Sequence, residues 1–190
     1  MSNDSAILGI GSGNAVSVDV DDSARVDIDK LEELLAKSLA EKQPVYAVVA
    51  MMGSTQEGAV DPLHKILALR QRFQAQGLSF LVHSDAAWGG YFATMLLRGP
   101  APVNNMTRRD GGVGESVSSL PLRAEAQEGL FALRFCDSVT VDPHKAGYIP
   151  YPAGALTYRD GRIKNLITWT SSYLSRGSIT GIGVHGVAGR

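Results

Sequence analysis

SVTVDPHKAGYIPYPAG, residues Ser138–Gly154, opens with an apolar run that is typical of a β-strand and then turns polar at once. The run is followed by an aspartate, a proline, a histidine and Lys145. A second stretch, LVHSDAAWGGY at Leu81–Tyr91, has the same design, since its apolar run ends in Asp85. Charged groups are costly to remove from water, so their place at the ends of two predicted buried strands indicates a functional site.

Strands and helices alternate along the rest of the chain. Continuous apolar runs predict two strands buried on both faces, Pro44–Met52 and Leu78–Asp85. Further strands are predicted at Ala15–Asp22, Ser138–Asp142 and Gly154–Asp160. Helices are predicted at Ile28–Lys42 (capped by Asp27 or Asp29), Pro62–Gly77, Gly89–Leu97 and Ala124–Asp137. This order predicts an α/β domain with a mostly parallel sheet.

The bulk properties argue against several classes of function. The net charge of −1 favours neither nucleic acid nor an anionic membrane surface. No apolar run reaches the ~20 residues of a membrane helix. The single Cys136 and the absence of a signal-peptide pattern favour a cytoplasmic protein. No cluster of residues has metal-ligand spacing. Residues 99–123 are polar and Gly-rich, and we expect them to form a surface insertion.

The topology predicts where a site would form. In an open parallel sheet, ligands bind beyond the carboxyl ends of the strands. Asp85, the segment Asp142–Lys145 and the loop Gly53–Thr55 each follow such an end, so we expect them to converge. A lysine amine there can form a Schiff base with an aldehyde, and an aspartate can keep a pyridine nitrogen protonated. The pair predicts pyridoxal 5′-phosphate as the cofactor.

Three segments carry a resemblance to a known family. HSDAAWGGY and DSVTVDPHKAGYIPYPAGAL resemble the group II pyridoxal-phosphate-dependent amino acid decarboxylases of fold type I, in particular the bacterial-type L-tyrosine decarboxylases. GSTQEGAVDPL is similar to the Gly-Thr-Thr segment upstream in that family, and the resemblance runs over most of Ile7–Arg190. It implies the three-layer, mostly parallel sheet of the family's large domain. Residues 1–190 would then be a central part of that domain, without its N-terminal segment and the small C-terminal domain.

The resemblance also implies roles for individual residues near the cofactor. Lys145 would form the Schiff base, and Asp85 would pair with the pyridine nitrogen. Ala87 would pack its methyl group on one face of the ring. The remaining contacts would come from His144 beside the lysine, from the hydroxyls of Ser54 and Thr55, and from Tyr151 on the substrate side as a proton donor or aromatic contact.

Several functions stay open on the sequence alone. The resemblance favours decarboxylation of an aromatic or acidic amino acid to its amine, in a protein that forms homodimers at full length. Another fold type I enzyme, such as a lyase or an aminotransferase, is a second interpretation. A truncated relative that serves as a non-catalytic interaction module is a third. Asp85, Ser54 and Thr55 also suit helix caps, and Tyr151 also suits packing in a core.

Overall fold

The computed structural model describes residues 9–96 and 122–163. These residues form one open sheet with strands β1 (Ala47–Met51), β2 (Leu81–Asp85), β3 (Ser138–Val141) and β4 (Ala155–Tyr158), in that order. The first three strands are parallel, whereas β4 runs antiparallel to β3. The predicted α/β class with a mostly parallel sheet is therefore confirmed. Residues 99–121 of the expected insertion lie outside the described residues.

Three α-helices connect and precede these strands: α1 (Ile28–Ala40), α2 (Leu63–Gln74) and α3 (Ala124–Ala132). Helix α1 begins at Ile28 because the carboxylate of Asp27 accepts the backbone N–H groups of Asp29 and Lys30, at 2.9 and 3.1 Å. Of the two predicted caps, the structure uses Asp27. Helix α3 is shorter than the predicted Ala124–Asp137, because the chain tightens into a 3₁₀ turn at Leu133–Phe135.

The hydrophobic core lies on one face of the sheet. Ala50 and Val82 are fully buried there. They belong to one cluster with apolar side chains of the helices, namely Leu31, Leu35, Leu63, Ile66, Leu67, Leu69, Phe73 and Leu130. The alternate residues Val49, Met51 and Leu81 are exposed. The prediction that β1 and β2 are buried on both faces is therefore wrong, because the core cluster covers only one of the two faces of a pleated strand.

The predicted strand at Ala15–Asp22 is also wrong. Only an isolated bridge between Val20 and Val26 forms there. The carboxylate of Asp21 accepts the backbone N–H groups of Ser23 and Arg25 at 2.9 and 3.0 Å, which turns the chain back on itself. Aspartate favours such a turn because its side chain replaces a backbone acceptor.

Among the residues that the structure describes, no helix combines the length and the apolar character needed to cross a lipid bilayer.

Candidate active site

The three parallel strands end level with one another at the carboxyl edge of the sheet. Met51 pairs with Asp85, and Asp85 pairs with Thr140. Beyond these ends, the N–H of Met52 donates to the Asp85 carbonyl at 2.8 Å, and the N–H of Asp142 donates to the Ala87 carbonyl at 3.2 Å. The loops that follow β1, β2 and β3 therefore lie side by side at this edge.

Glycines allow two of these loops to touch through their backbones. A Cβ atom at Gly89 would lie 2.0 Å from the carbonyl oxygen of Met52, far inside van der Waals contact. Gly53 adopts φ +102°, and a Cβ atom there would lie 2.9 Å from the backbone nitrogen of Gly89. Glycine at both positions brings the loop after β1 against the loop after β2.

Lys145 stands in the turn after β3, with its amine held by two groups. Its backbone N–H donates to the carbonyl of Asp142 at 2.9 Å. That turn brings Nζ to 2.8 Å from Oδ2 of Asp142. Nζ also lies 5.3 Å from the centre of the Trp88 ring, which belongs to the loop after β2. The amine of Lys145 thus contacts both loops, and its side chain is 24% exposed, so small molecules can reach it.

Asp85 ends β2 with a half-buried carboxylate. Its Oδ1 atom accepts the backbone N–H of Ala87 at 3.2 Å, an interaction that orients the carboxylate along the loop. No other hydrogen bond to this carboxylate comes from residues 9–96 and 122–163. Asp85 therefore keeps lone pairs that can accept a further N–H group.

His83 shares the face of β2 that carries Asp85, since the two residues are separated by one position. Its Nδ1 atom lies 2.8 Å from the hydroxyl of Ser138, and its Nε2 atom lies 3.3 Å from the hydroxyl of Thr140. Burial lowers the pKa of His83, and the negative charge of Asp85 opposes part of that shift. The imidazole is therefore neutral near pH 7.

His144 and Tyr151 form an aromatic pair beside Lys145. Nδ1 of His144 donates to the carbonyl of Ala153, which orients the ring. The rings of His144 and Tyr151 meet edge to face, with centres 4.3 Å apart at an angle of 68°. Tyr151 is nevertheless 77% exposed, so its hydroxyl faces solvent rather than the core.

Ser54 and Thr55 lie in the loop after β1. The hydroxyl of Ser54 donates to Oε2 of Glu57 at 2.9 Å and accepts the N–H of Ala59 at 3.1 Å. These bonds close the loop on itself. Thr55 is exposed at the tip of the same loop. Both hydroxyls thus lie near the sheet edge, but Ser54 already has partners of its own.

Two residues with contacts at this site, Trp88 and His83, were not predicted for it, and Asp142 was predicted there only as part of the segment Asp142–Lys145. Asp142 contacts the amine of Lys145, Trp88 lies beside that amine, and His83 bridges β2 and β3. The spacing of Asp142 and Lys145 by three residues was a usable signal, because one turn brings such residues together. The period of two in a strand was the signal for His83, which shares a face with Asp85.

Comparisons with known proteins give a consistent result. No protein-family model matches the chain. The chain is 38% identical over 173 residues to an L-tyrosine decarboxylase of Levilactobacillus brevis, which covers 88% of this chain and 28% of that protein. It is 30% identical over 185 residues to an aspartate 1-decarboxylase of Aliivibrio fischeri, covering 96% of this chain and 27% of that protein. The chain thus spans little more than a quarter of the length of these relatives.

A solved structure agrees with these relatives. The crystal structure of mouse CSAD in apo form superposes with a TM-score of 0.58 and 30% identity, over 87% of this chain and 28% of that one. The likeness therefore extends from the sequence motifs to the arrangement of strands and helices. In sequence and in fold, the chain is therefore similar to part of the group II pyridoxal-phosphate-dependent amino acid decarboxylases.

Proposed function

We propose that this chain belongs to an enzyme that removes the α-carboxylate of an amino acid, giving carbon dioxide and an amine, with pyridoxal 5′-phosphate as cofactor. The observation that supports it most directly is the contact between two loops at one sheet edge, one of which carries Asp85 and the other Lys145. The relatives are named as decarboxylases of tyrosine and of aspartate. Those names support an aromatic or an acidic amino acid as substrate.

The chemistry of the side chains at this edge fits the cofactor. Lys145 offers an accessible amine for an aldehyde. Asp85 offers a carboxylate with lone pairs to spare, as a protonated ring nitrogen requires. Ala87 follows with only a methyl group, and glycines at positions 53 and 89 keep the neighbouring backbone free of side chains. An amine, a carboxylate and a surface of small residues suit the aldehyde, the ring nitrogen and the ring face of this cofactor.

Pyridoxal phosphate, when bound, supplies an electron sink for the electron pair that the departing carboxylate leaves behind. In the proposal, Nζ of Lys145 would hold the aldehyde carbon of the cofactor. Asp85 would keep the ring nitrogen protonated, and Ala87 would lie against the ring. The edge of the cofactor would be held by three further side chains, those of His144, Ser54 and Thr55.

Tyr151 is the proposed proton donor to the α-carbon of the substrate. Its hydroxyl is exposed, and its ring is held by the edge-to-face contact with His144, which immediately precedes Lys145. Because a phenol carries a proton at neutral pH, Tyr151 can give one where the carboxylate has left. Asp142 would hold the lysine amine in place when that amine is free.

We further propose that the protein acts as a homodimer in the cytoplasm. The exposed aromatic and apolar side chains Tyr148, Ile149 and Tyr151 lie together after Lys145, and such a segment suits contact with a second subunit. The buried free thiol of Cys136 suits a reducing compartment. Sedimentation velocity of the purified protein tests the dimer.

Cofactor capture by the chain tests the lysine assignment. Adding pyridoxal phosphate should produce the visible absorbance band of a lysine imine, and borohydride reduction should then fix the added mass on the peptide that contains Lys145. Lys145→Ala should lose both signals. Lys65→Ala, which removes an exposed lysine of α2, is the matched control and should keep both. Identical cofactor binding by the chain and by Lys145→Ala would show that the lysine assignment is wrong.

Product analysis tests the reaction. The loaded protein, offered L-tyrosine and L-aspartate separately, should release carbon dioxide and the matching amine from one of them. Release of a keto acid instead would indicate an aminotransferase. A loaded protein that leaves every amino acid unchanged would favour a non-catalytic relative.

A further inference from the structure

Both ring nitrogens of His83 have hydrogen-bond partners on the neighbouring strand. His83 lies on β2 directly opposite Ser138 on β3, and both of its ring nitrogens meet hydroxyls of β3. One of these hydroxyls belongs to Thr140, which is the register partner of Asp85. His83 therefore joins β2 to β3 on the sheet face that carries Asp85. The bridge spans the two register pairs His83–Ser138 and Asp85–Thr140.

The hydroxyl partners are compatible with a neutral ring. A neutral imidazole has one N–H donor and one acceptor nitrogen, and each hydroxyl can either donate or accept. One hydroxyl can thus donate to the ring while the other accepts from it. Both ring nitrogens of His83 are then satisfied without a positive charge.

Within residues 9–96 and 122–163, one charged group acts on His83. This group is the carboxylate of Asp85 on the same strand. On β3 the partners of His83 are the two hydroxyls, and on β1 its register partner is the apolar Val49. A neutral imidazole leaves Asp85 free to pair with an external cation, whereas a protonated one would compete for the same carboxylate. Burial keeps the pKa of His83 below its usual value, so this competition is absent at neutral pH.

We propose that His83 is a positioning residue for Asp85: by bridging Ser138 and Thr140, its ring fixes the end of β2 against β3 and holds the carboxylate ready for a protonated ring nitrogen. This inference rests on the proposed function and adds a residue to it. Among the described residues, the hydrogen bonds of His83 go to Ser138 and Thr140 and not to Lys145, so its effect would pass through Asp85.

Titration of the histidines by NMR tests the coupling without any cofactor. The imidazole of His83 should titrate at a lower pH than an ordinary histidine, and Asp85→Asn should move its midpoint lower still, because the negative charge that opposes the shift is gone. The ring signals of His64 are the internal control, since its partner is Glu128, at 3.3 Å from Nε2, and they should be the same in Asp85→Asn and in the unmodified chain. A His83 midpoint that does not respond to Asp85→Asn overturns the inference.

Cofactor affinity provides the second readout. His83→Phe keeps a flat ring but removes both nitrogens, and it should weaken binding of pyridoxal phosphate about fivefold, the value of roughly one hydrogen bond. His83→Asn should recover part of that loss, because its amide can still reach Ser138. In the unmodified chain, affinity should fall as the pH drops through the His83 midpoint, and His83→Phe should lose that component.

The two proposals fail in different ways. A chain that gives no visible band with pyridoxal phosphate contradicts the proposed function, while the NMR titration still decides the coupling of His83 to Asp85. A chain that gives the band, with equal affinity and equal pH profile in His83→Phe, contradicts the role of His83 and leaves the proposed function standing.

Discussion

At the scale of single residues, the buried carboxylate of Asp61 illustrates how one side chain can hold a sheet edge. Its Oδ1 atom accepts the N–H of Val26 at 2.8 Å, and its Oδ2 atom accepts the N–H of Met51 at 2.7 Å. We expect Asp61→Asn to lower the free energy of unfolding by about 1–3 kcal/mol, because an amide can accept only one of these bonds and turns a donor toward the other N–H group. Denaturant unfolding at pH 7 measures this loss.

The free energy of unfolding that Asp61→Asn loses should also depend on pH. Burial raises the pKa of Asp61 above its usual value, and the two backbone N–H groups oppose part of that shift. A raised pKa means that the folded protein holds this proton more tightly than the unfolded chain does. The contribution of Asp61 is therefore greatest below its unfolded pKa and declines as the pH rises through the folded one. The difference in stability between the unmodified chain and Asp61→Asn should therefore grow as the pH falls from 7 toward 4. A constant difference would contradict the raised pKa of Asp61.

Gly89 carries a steric prediction. Gly89→Ala should lower the free energy of unfolding by about 1–3 kcal/mol and impair cofactor capture, because the new methyl group would collide with the backbone of Met52. Gly13→Ala is the control, since no atom lies within 4 Å of a Cβ atom there. Thermal unfolding and the visible band of pyridoxal phosphate measure the two effects. Equal stability in both variants would mean that the loops after β1 and β2 can separate freely.

Tyr151 carries the prediction about catalysis. Tyr151→Phe in the active protein should lower kcat for amine release about 100-fold, the usual size of a lost general acid. The visible band should remain, since the phenol is not proposed to hold the cofactor. Stopped-flow absorbance and amine release, measured on the same samples, separate the two effects. A variant with an unchanged kcat would assign proton delivery to another group.

The sequence was informative about residues that follow strands and uninformative about their partners. An acid or a lysine after an apolar run indicated the edge where Asp85 and Lys145 lie, although their roles stay predictions. The bridge of His83 to Ser138 depends on the register between β2 and β3, two segments 55 positions apart. No local pattern reports such a register, so this contact required the structure.

At the scale of elements, Asp137 joins four of them at the edge opposite Lys145. Its carboxylate accepts from Arg70 of α2 at 2.7 Å and from the N–H of Val82 on β2 at 2.8 Å, and it also pairs with Arg159 just after β4. Asp137 itself immediately precedes β3. Its side chain is largely buried, so the loss of one partner leaves the others without compensation.

Asp137→Ala should therefore lower the free energy of unfolding by about 3 kcal/mol. At temperatures where the destabilised variant is still folded, it should still capture pyridoxal phosphate at Lys145, because the substitution lies at the other end of the strands. Asp160→Ala, which removes an exposed partner of Arg162, is the matched control and should leave the melting temperature nearly unchanged. Loss of capture in folded Asp137→Ala would mean that the two sheet edges are coupled.

The types of most elements followed from apolar periodicity, and their ends did not. The 13-residue α1 was predicted with Asp27 as one of two candidate caps, because leucines at helical spacing and an aspartate before them act locally. The burial of the second face of β1 and β2 was predicted wrongly. A continuous apolar run does not report which of the two faces the described helices cover. That information depends on the whole fold.

At the scale of the whole molecule, the sheet face that the described helices leave exposed is the feature with the clearest physical consequence. Val49, Met51 and Leu81 expose apolar side chains on this face of β1 and β2, which also carries His83 and Asp85, and Leu81 is 57% exposed. Exposed apolar side chains of this kind favour contact with other apolar surfaces. The isolated 190-residue chain should therefore bind an apolar dye and associate more strongly as its concentration rises.

Leu81→Lys should reduce both the dye fluorescence and the concentration-dependent association measured by sedimentation, because a charge on this face opposes its burial. Gln71→Lys, on the exposed side of α2, is the matched control and should change neither. The substitution at Leu81 should leave the melting temperature nearly unchanged, since the residue makes little core contact. A chain that stays monomeric and free of dye, with or without Leu81→Lys, would mean that this face is covered in solution.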